Sequence, residues 1–403
     1  MKIISFIIAL TVSTTVFAAK QQGYVQHNLV ANNAKYKADT LEPKLINAWG
    51  IAIRPAGAGG HFWITAKDNS FEYVGDVQKS PTPKLKKLHA DELKVISLPV
   101  GGDESFATST VFNDSKEHFI ITQQIKDAEP ITAPAKFLFA SDGGIISAWT
   151  ERKKADGTFD RAPDALTVID NSATGAAYFG LAISKNYDRL YAAYFGKQPG
   201  IRVFDGSFKP LNITFDQPFD ENKNGKVDAG EYAPFNIQAL TTPAGEAHIF
   251  VAYAKSQACT KEGLEKKQCA EGELFAGEED TSKPGQGRVA EFTEDGKLVA
   301  VYKDAGHLSA PWGLVFAPKE FGPLSGKLLV SNFGSGTIAA FDPETHAFVD
   351  TLRNPKGKTI KIDKIWGLLF GNGESLGDAN ALYFTAGPDD EKDGIFGSLR
   401  VAK

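Results

Sequence analysis

The stretch Asp220-Glu221-Asn222-Lys223-Asn224-Gly225-Lys226-Val227-Asp228-Ala229-Gly230-Glu231 sets oxygen-bearing side chains at the spacing that a hard divalent cation requires. Every required position of the calcium-loop pattern D-x-[DN]-x-[DN]-G-x5-E is filled. Asp220, Asn222 and Asn224 stand at loop positions 1, 3 and 5, and Lys226 offers its backbone carbonyl at 7. Asp228 stands at 9, Glu231 supplies a bidentate carboxylate at 12, and Gly225 makes the sharp turn at 6. The implied cofactor is Ca2+. The flanks are not helical, since Tyr232-Ala233-Pro234 leads straight into a strand-like run. A lone loop of this kind binds in the range of about 10⁻⁴–10⁻³ M and reads as a structural brace, not a switch.

Other patterns carry weaker chemistry. Gly373-Glu374-Ser375-Leu376-Gly377 matches the nucleophile-elbow pattern, but that elbow needs a strand, a sharp turn and a helix, whereas this pentapeptide fills a loop between two strand-like runs. His61, His118 and His248 each precede an apolar run that reads as a second strand, which spreads them too widely for one ion.

The elements that must position these residues come from an internal repeat. Ala48-Trp49-Gly50-Ile51, Pro311-Trp312-Gly313-Leu314 and Ile365-Trp366-Gly367-Leu368 share one phrase, and each is followed after a polar or Gly-rich gap by a second apolar run. Relaxing the Trp adds copies at Phe106, Phe179 and Phe235, with a mean period of about 63 residues. Period-2 alternation dominates, as in Gly336-Thr337-Ile338-Ala339-Ala340-Phe341, and helical periodicity is nowhere sustained. Six units of four short antiparallel strands predict an all-β, six-bladed β-propeller forming a single domain over residues 19–403. Gly in the innermost strand lets backbones approach, and the aromatic residue is expected to fill the wedge between neighbouring blades. The last unit lacks an outer strand, so Gly23-Tyr24-Val25-Gln26-His27-Asn28-Leu29-Val30 is expected to complete the sixth blade and close the ring.

Residues leading into inner strands converge on the axis of such a ring, which makes Asn47, Glu104, His307 and Asp363 the axial-site candidates. Propeller lactonases and related hydrolases hold a catalytic calcium ion with acidic and amide side chains at that place. Asn47, Glu104 and Asp363 could supply such a set, or could merely cap strand ends.

Residues 1–18 combine Lys2, an apolar run from Ile3 to Leu10 and Val16-Phe17-Ala18, which predicts a secretory signal peptide cut after Ala18 and a periplasmic or secreted protein. No other run approaches ~18 apolar residues, so no membrane span is expected. The formal charge is −5, with both signs mixed and no basic stripe, which argues against nucleic acid as a partner. The two cysteines, Cys259 and Cys269, are close in sequence and are expected to form a disulfide in an oxidising compartment.

Tyr24-Val25-Gln26, Asn47-Ala48-Trp49-Gly50, Ala233-Pro234-Phe235-Asn236, Ala310-Pro311-Trp312-Gly313 and Leu382-Tyr383-Phe384-Thr385-Ala386-Gly387-Pro388 occur in an order that resembles an exported bacterial family of uncharacterised six-bladed propellers related to NHL-repeat proteins. The resemblance implies the fold and export, and little about activity. The expected function is therefore a non-catalytic, monomeric binding or scaffold protein for a carbohydrate, peptide or protein ligand. The alternative is a calcium-dependent hydrolase, lactonase or lyase with its site on the axis.

Overall fold

The computed structural model describes residues 22–402 apart from 266–268 and 282, so the expected signal peptide lies outside the described residues. Six small antiparallel sheets stand around one axis as a six-bladed β-propeller, here numbered blades I to VI. Their inner strands are Ile51–Ala52, Ala107–Phe112, Tyr178–Ile183, Tyr232–Thr241, Pro311–Phe316 and Ile365–Phe370. The aromatic-glycine phrase lies in or just before the inner strand of blades I, III, V and VI.

Each such glycine has a steric reason. A Cβ on Gly50 would meet the backbone of Ser109 in blade II at 2.8 Å, and one on Gly180 would meet Ile237 N in blade IV at 2.6 Å. On Gly313 it would press into Leu368 N of blade VI, and on Gly367 into Ile51 of blade I. The inner strands therefore pack at a distance that no larger residue permits.

Hydroxyl groups one strand further out stitch the blades together. Ser331 accepts from the Gly313 N–H and donates to Trp366 O of blade VI at 2.6 Å; Thr385 accepts from the Gly367 N–H and donates to Trp49 O of blade I. Thr65 takes the Gly50 N–H in the same way. These residues occupy equivalent positions of the second strands Phe62–Ala66, Leu328–Asn332 and Leu382–Ala386, which satisfies buried backbone groups at the narrowest part of the ring.

The amino-terminal strand closes the ring as the sequence implies. Tyr24–Ala31 pairs antiparallel with Ile395–Val401 in blade VI, and Thr40–Leu41 adds a parallel fifth strand outside it. In blade II, His118 to Thr122 is not the run-up to the second strand. Ile120–Ile125 and Ala128–Pro134 form a separate hairpin, while Phe137–Ser141 and Ile145–Trp149 supply the second and third strands. The inserted hairpin is held against blade III, where the Phe119 N–H donates to Gly206 O and its ring packs on Phe208. Alternation identifies a strand here, but not the sheet it joins.

Among the described residues no helix is long and apolar enough to cross a membrane.

Candidate functional site: the axial mouth and its rim

The aromatic anchors pack on one another around the axis, both between neighbouring blades and between blades two apart. Trp49 of blade I packs on Phe179 of blade III at 5.5 Å and on Trp312 of blade V at 5.4 Å, and Phe235 of blade IV reaches Trp366 of blade VI at 6.0 Å. Trp49 also stacks on Trp366 at 4.0 Å, and Phe333 on the other side of Trp366 at 4.1 Å. The pairing register of the inner strands shifts between Pro311 and Leu314 and between Ile365 and Leu368, an irregularity that re-aims the side chain between them. The axis is plugged by buried rings.

Above this floor lies a polar mouth, formed where inner strands begin and second strands end. Asn47, Ala310 and Lys364, each two residues before a Trp, all have left-handed backbone (φ 47°, 43° and 50°). Asn47 is buried, and its amide has both ends engaged: Trp366 Nε1 donates to Oδ1 at 2.8 Å, and Nδ2 donates to Glu391 Oε1 at 3.1 Å. Because an indole N–H can only donate, the orientation of this amide is fixed.

Glu391 ends an unusual turn. Asp389, Asp390 and Glu391 have φ of 61°, 56° and 63° in succession, closed by hydrogen bonds from Glu391 N to Gly387 O and from Asp393 N to Pro388 O. For residues with a Cβ this costs roughly 1–2 kcal/mol each. Such strain persists only where the surroundings hold it, and it clusters at functional sites.

The other wall comes from blade IV. Its second strand, Ala247–Ala258, overshoots the blade, and Leu274–Glu279 pairs with the overshoot at Ser256↔Glu279 and Ala258↔Leu274. The Gly277 N–H donates to Phe195 O at the end of blade III, so this strand crosses towards the axis as a flap. The Cys259–Cys269 disulfide staples the chain that links the two strands. Burial, reinforced by the charges of Glu391 and Glu278, pushes the Glu279 carboxyl up to about 8. Burial likewise lifts Glu391 to about 7, partly offset by Lys364 and the Asn47 hydrogen bond. Lys364 itself lies over the Phe333 ring at 4.0 Å. On the blade I–II side, Lys67 covers the Phe106 ring at 4.4 Å, and burial raises Asp142 to about 6 although the Phe106 N–H donates to it.

The other axial candidates are placed differently. Asp363 accepts from the Asp389 N–H and so supports the strained turn. Glu104 is exposed on the loop before blade II. His307 stacks flat on Phe348 of the outermost strand of blade V at 3.7 Å, turned away from the axis. Of the remaining histidines, His61 bonds to Asp91 at 2.8 Å and His248 to Glu291 at 2.5 Å. Gly373 to Gly377 is a loop in which the Asn372 side chain accepts three successive backbone N–H groups.

The 220–231 loop sits on the same rim, beside a groove of about 850 Å³ between blades III and IV. Asp220 accepts from the Asn224 and Gly225 N–H groups, and the Asn222 and Asn224 amides both donate to Asp228 Oδ2, at 2.6 and 2.7 Å. Buried Glu231 accepts from the Asp228 N–H. Val227, at position 8, packs against the axial aromatic cluster. Among the described residues no three His, Cys, Asp or Glu side chains gather as a metal site by themselves, so the loop would depend on its amides and carbonyl as well.

One buried group lies apart from both places. Glu72 in blade I has no exposure, and neither carboxyl oxygen is hydrogen-bonded; burial holds it well above the carboxylate range. Glu151, at the interface of the first two blades, is half-buried, but Arg54 and Arg161 outweigh desolvation and hold it below that range.

No family model matches this chain. It is 27% identical over 376 residues to the uncharacterized protein R648 of Acanthamoeba polyphaga mimivirus, covering 92% of this chain and 79% of that protein. The uncharacterized protein L690 of the same virus is 26% identical, with 92% and 84% covered. Among solved structures, a structural-genomics protein of unknown function from Bacteroides thetaiotaomicron superposes with a TM-score of 0.50 at 10% identity, over 95% of this chain and 77% of that one. A luciferin-regenerating enzyme gives 0.47 at 11% identity, over 94% and 95%. These likenesses concern the propeller fold alone.

Proposed function

We propose that this chain is an exported propeller that binds a carbohydrate, peptide or protein ligand at the axial mouth without turning it over, with Ca2+ bracing the 220–231 loop on the rim. The observation that carries the binding reading is the state of Asn47. A catalytic axial calcium would need its amide oxygen, and that oxygen already accepts the Trp366 indole N–H while the nitrogen holds Glu391. Beneath it the axis is packed with buried rings.

The loop residues fit a cation in their chemistry. Asn222 and Asn224 converge on one oxygen of Asp228, and a half-turn of each amide would exchange a donor for an acceptor at the same place. The leader expected over residues 1–18 and the sequence resemblance to exported NHL-related propellers support export.

Turnover of a lactone and ester panel by the purified chain with calcium, abolished by Asn47→Ala, would overturn the binding reading. The expected result is no turnover. Titration with calcium alone is expected to give a dissociation constant of about 0.1–1 mM, lost in Asp220→Ala/Glu231→Ala.

A second reading follows from Glu279 and Glu391, two desolvated carboxyls facing one lysine, an arrangement that suits general acid–base work. In that case any activity would survive calcium removal and vanish in Glu391→Gln.

A further inference from the structure

The calcium loop and the axial mouth are joined through one side chain, that of Ser256. This serine is 2% exposed and lies in the overshooting part of Ala247–Ala258. Its one hydroxyl proton is shared between Glu231 O at 2.9 Å and Asp228 O at 3.2 Å, and its oxygen accepts from the Gly230 N–H at 3.1 Å. Its own N–H donates to Glu231 O at 2.9 Å. Three of the last four residues of the loop, Asp228, Gly230 and Glu231, are thus gathered on a single hydroxyl. On its opposite edge Ser256 pairs with Glu279, and the next peptide, Asp280 N, donates to Lys255 O. Glu231, Ser256 and Glu279 stand side by side, so about two strand spacings, roughly 10 Å, separate a loop ligand from a carboxyl that faces the axis.

The second connection is apolar. Val227 leaves the middle of the loop and packs against the buried cluster that floors the mouth. Both the wall and the floor of the mouth are therefore in contact with the loop.

We propose that calcium in the 220–231 loop controls the axial mouth: by fixing Glu231 and Asp228 it fixes Ser256, and Ser256 holds the Leu274–Glu279 flap in place over the axis. This rests on the calcium reading above and goes beyond a passive brace. Without the ion, the Asp228 and Glu231 carboxylates repel each other and the carbonyls gathered on Ser256 lose their common anchor. The flap then remains tied by the disulfide and by Gly277, but its inner end is free to lift. Ligand access and the charge facing the ligand become calcium-dependent. Ser256 acts here as a positioning residue, since it touches neither ion nor ligand.

Amide hydrogen exchange on the whole mature chain, with and without about 10 mM calcium, tests the coupling. For an affinity of about 10⁻⁴–10⁻³ M, opening linked to ion release is suppressed roughly 10- to 100-fold. Wild type should show this slowing in both 220–231 and 274–279. Ser256→Ala should keep it in 220–231 and lose it in 274–279, and Glu231→Gln should lose it in both. Slowing confined to 220–231 in wild type would overturn the coupling and leave the calcium reading standing. Slowing in neither segment would overturn both. Slowing retained at 274–279 in Ser256→Ala would overturn the route through Ser256. If that variant does not fold, the wild-type and Glu231→Gln results still decide whether the flap follows the ion.

Discussion

The floor and the rim of the axial mouth are built by the same strand ends yet obey opposite rules. The floor is a dry stack of rings from neighbouring blades and blades two apart, backed by inner-strand backbone that tolerates only glycine in blades I, III, V and VI. The rim is made of residues in left-handed backbone, a flap borrowed from blade IV, and carboxyls pushed above their usual range. Apolar packing at the floor is satisfied without a ligand, whereas the rim keeps charge close to the axis that the protein itself only partly neutralises. Dry packing and unneutralised charge are thus stacked one above the other.

The sharpest way to break this contrast is to cut into the floor. Trp366→Ala removes a ring that touches Trp49, Trp312, Phe235 and Phe333, and is expected to cost about 3–5 kcal/mol in denaturant unfolding without altering calcium binding. Replacing Cys259 and Cys269 by Ser should cost about 2–3 kcal/mol. The loss should fall on the flap, visible as new proteolytic cleavage near Leu274–Glu279, with the floor intact. Asp220→Ala with Glu231→Ala should remove a calcium-dependent gain of only about 0.5–1.5 kcal/mol at millimolar ion and abolish protection of residues 215–235 from proteolysis. An equal loss in the absence of calcium would place these residues in the fold, not the ion site.

The smallest effect concerns protons at the rim. Glu279 and Glu391 bind their protons more tightly folded than unfolded, so their contribution is full below about 4.5 and declines as pH rises through about 7 and 8. The mouth is partly open to solvent, which weakens the effect. Unfolding midpoints compared at pH 5 and pH 8.5 should converge in Glu279→Gln, and a slope unchanged by that substitution would remove Glu279 from the account.

Much of the floor was legible in the sequence because a repeated geometric need leaves a repeated residue. Trp49, Trp312 and Trp366 with their glycines announce the blade count, and the missing outer strand of the last unit announces the role of Tyr24–Ala31. The rim was not legible in this way. Glu279 and Glu391 lie over a hundred residues apart, on a flap and a strained turn that occur once each, and nothing in their local pattern separates them from solvated acids. Asn47 was identified from its position before an inner strand, but its partners only emerge once blade VI closes on blade I. The hydroxyls of Thr65, Ser331 and Thr385 carried a usable signal, since each stands late in the second apolar run that follows a Trp-Gly phrase. The second hairpin of blade II defeated sequence reading because strand propensity does not specify a partner.

The pairing of Tyr24–Ala31 with Ile395–Val401 also sets an order of events. Tyr24–Ala31 leaves the ribosome well before its partner and stays unpaired until Ile395–Val401 has followed. Until then blade VI is short of its outer strands and the circle stays unlatched. The ring is thereby kept from locking prematurely, and its closure waits on the arrival of Ile395–Val401.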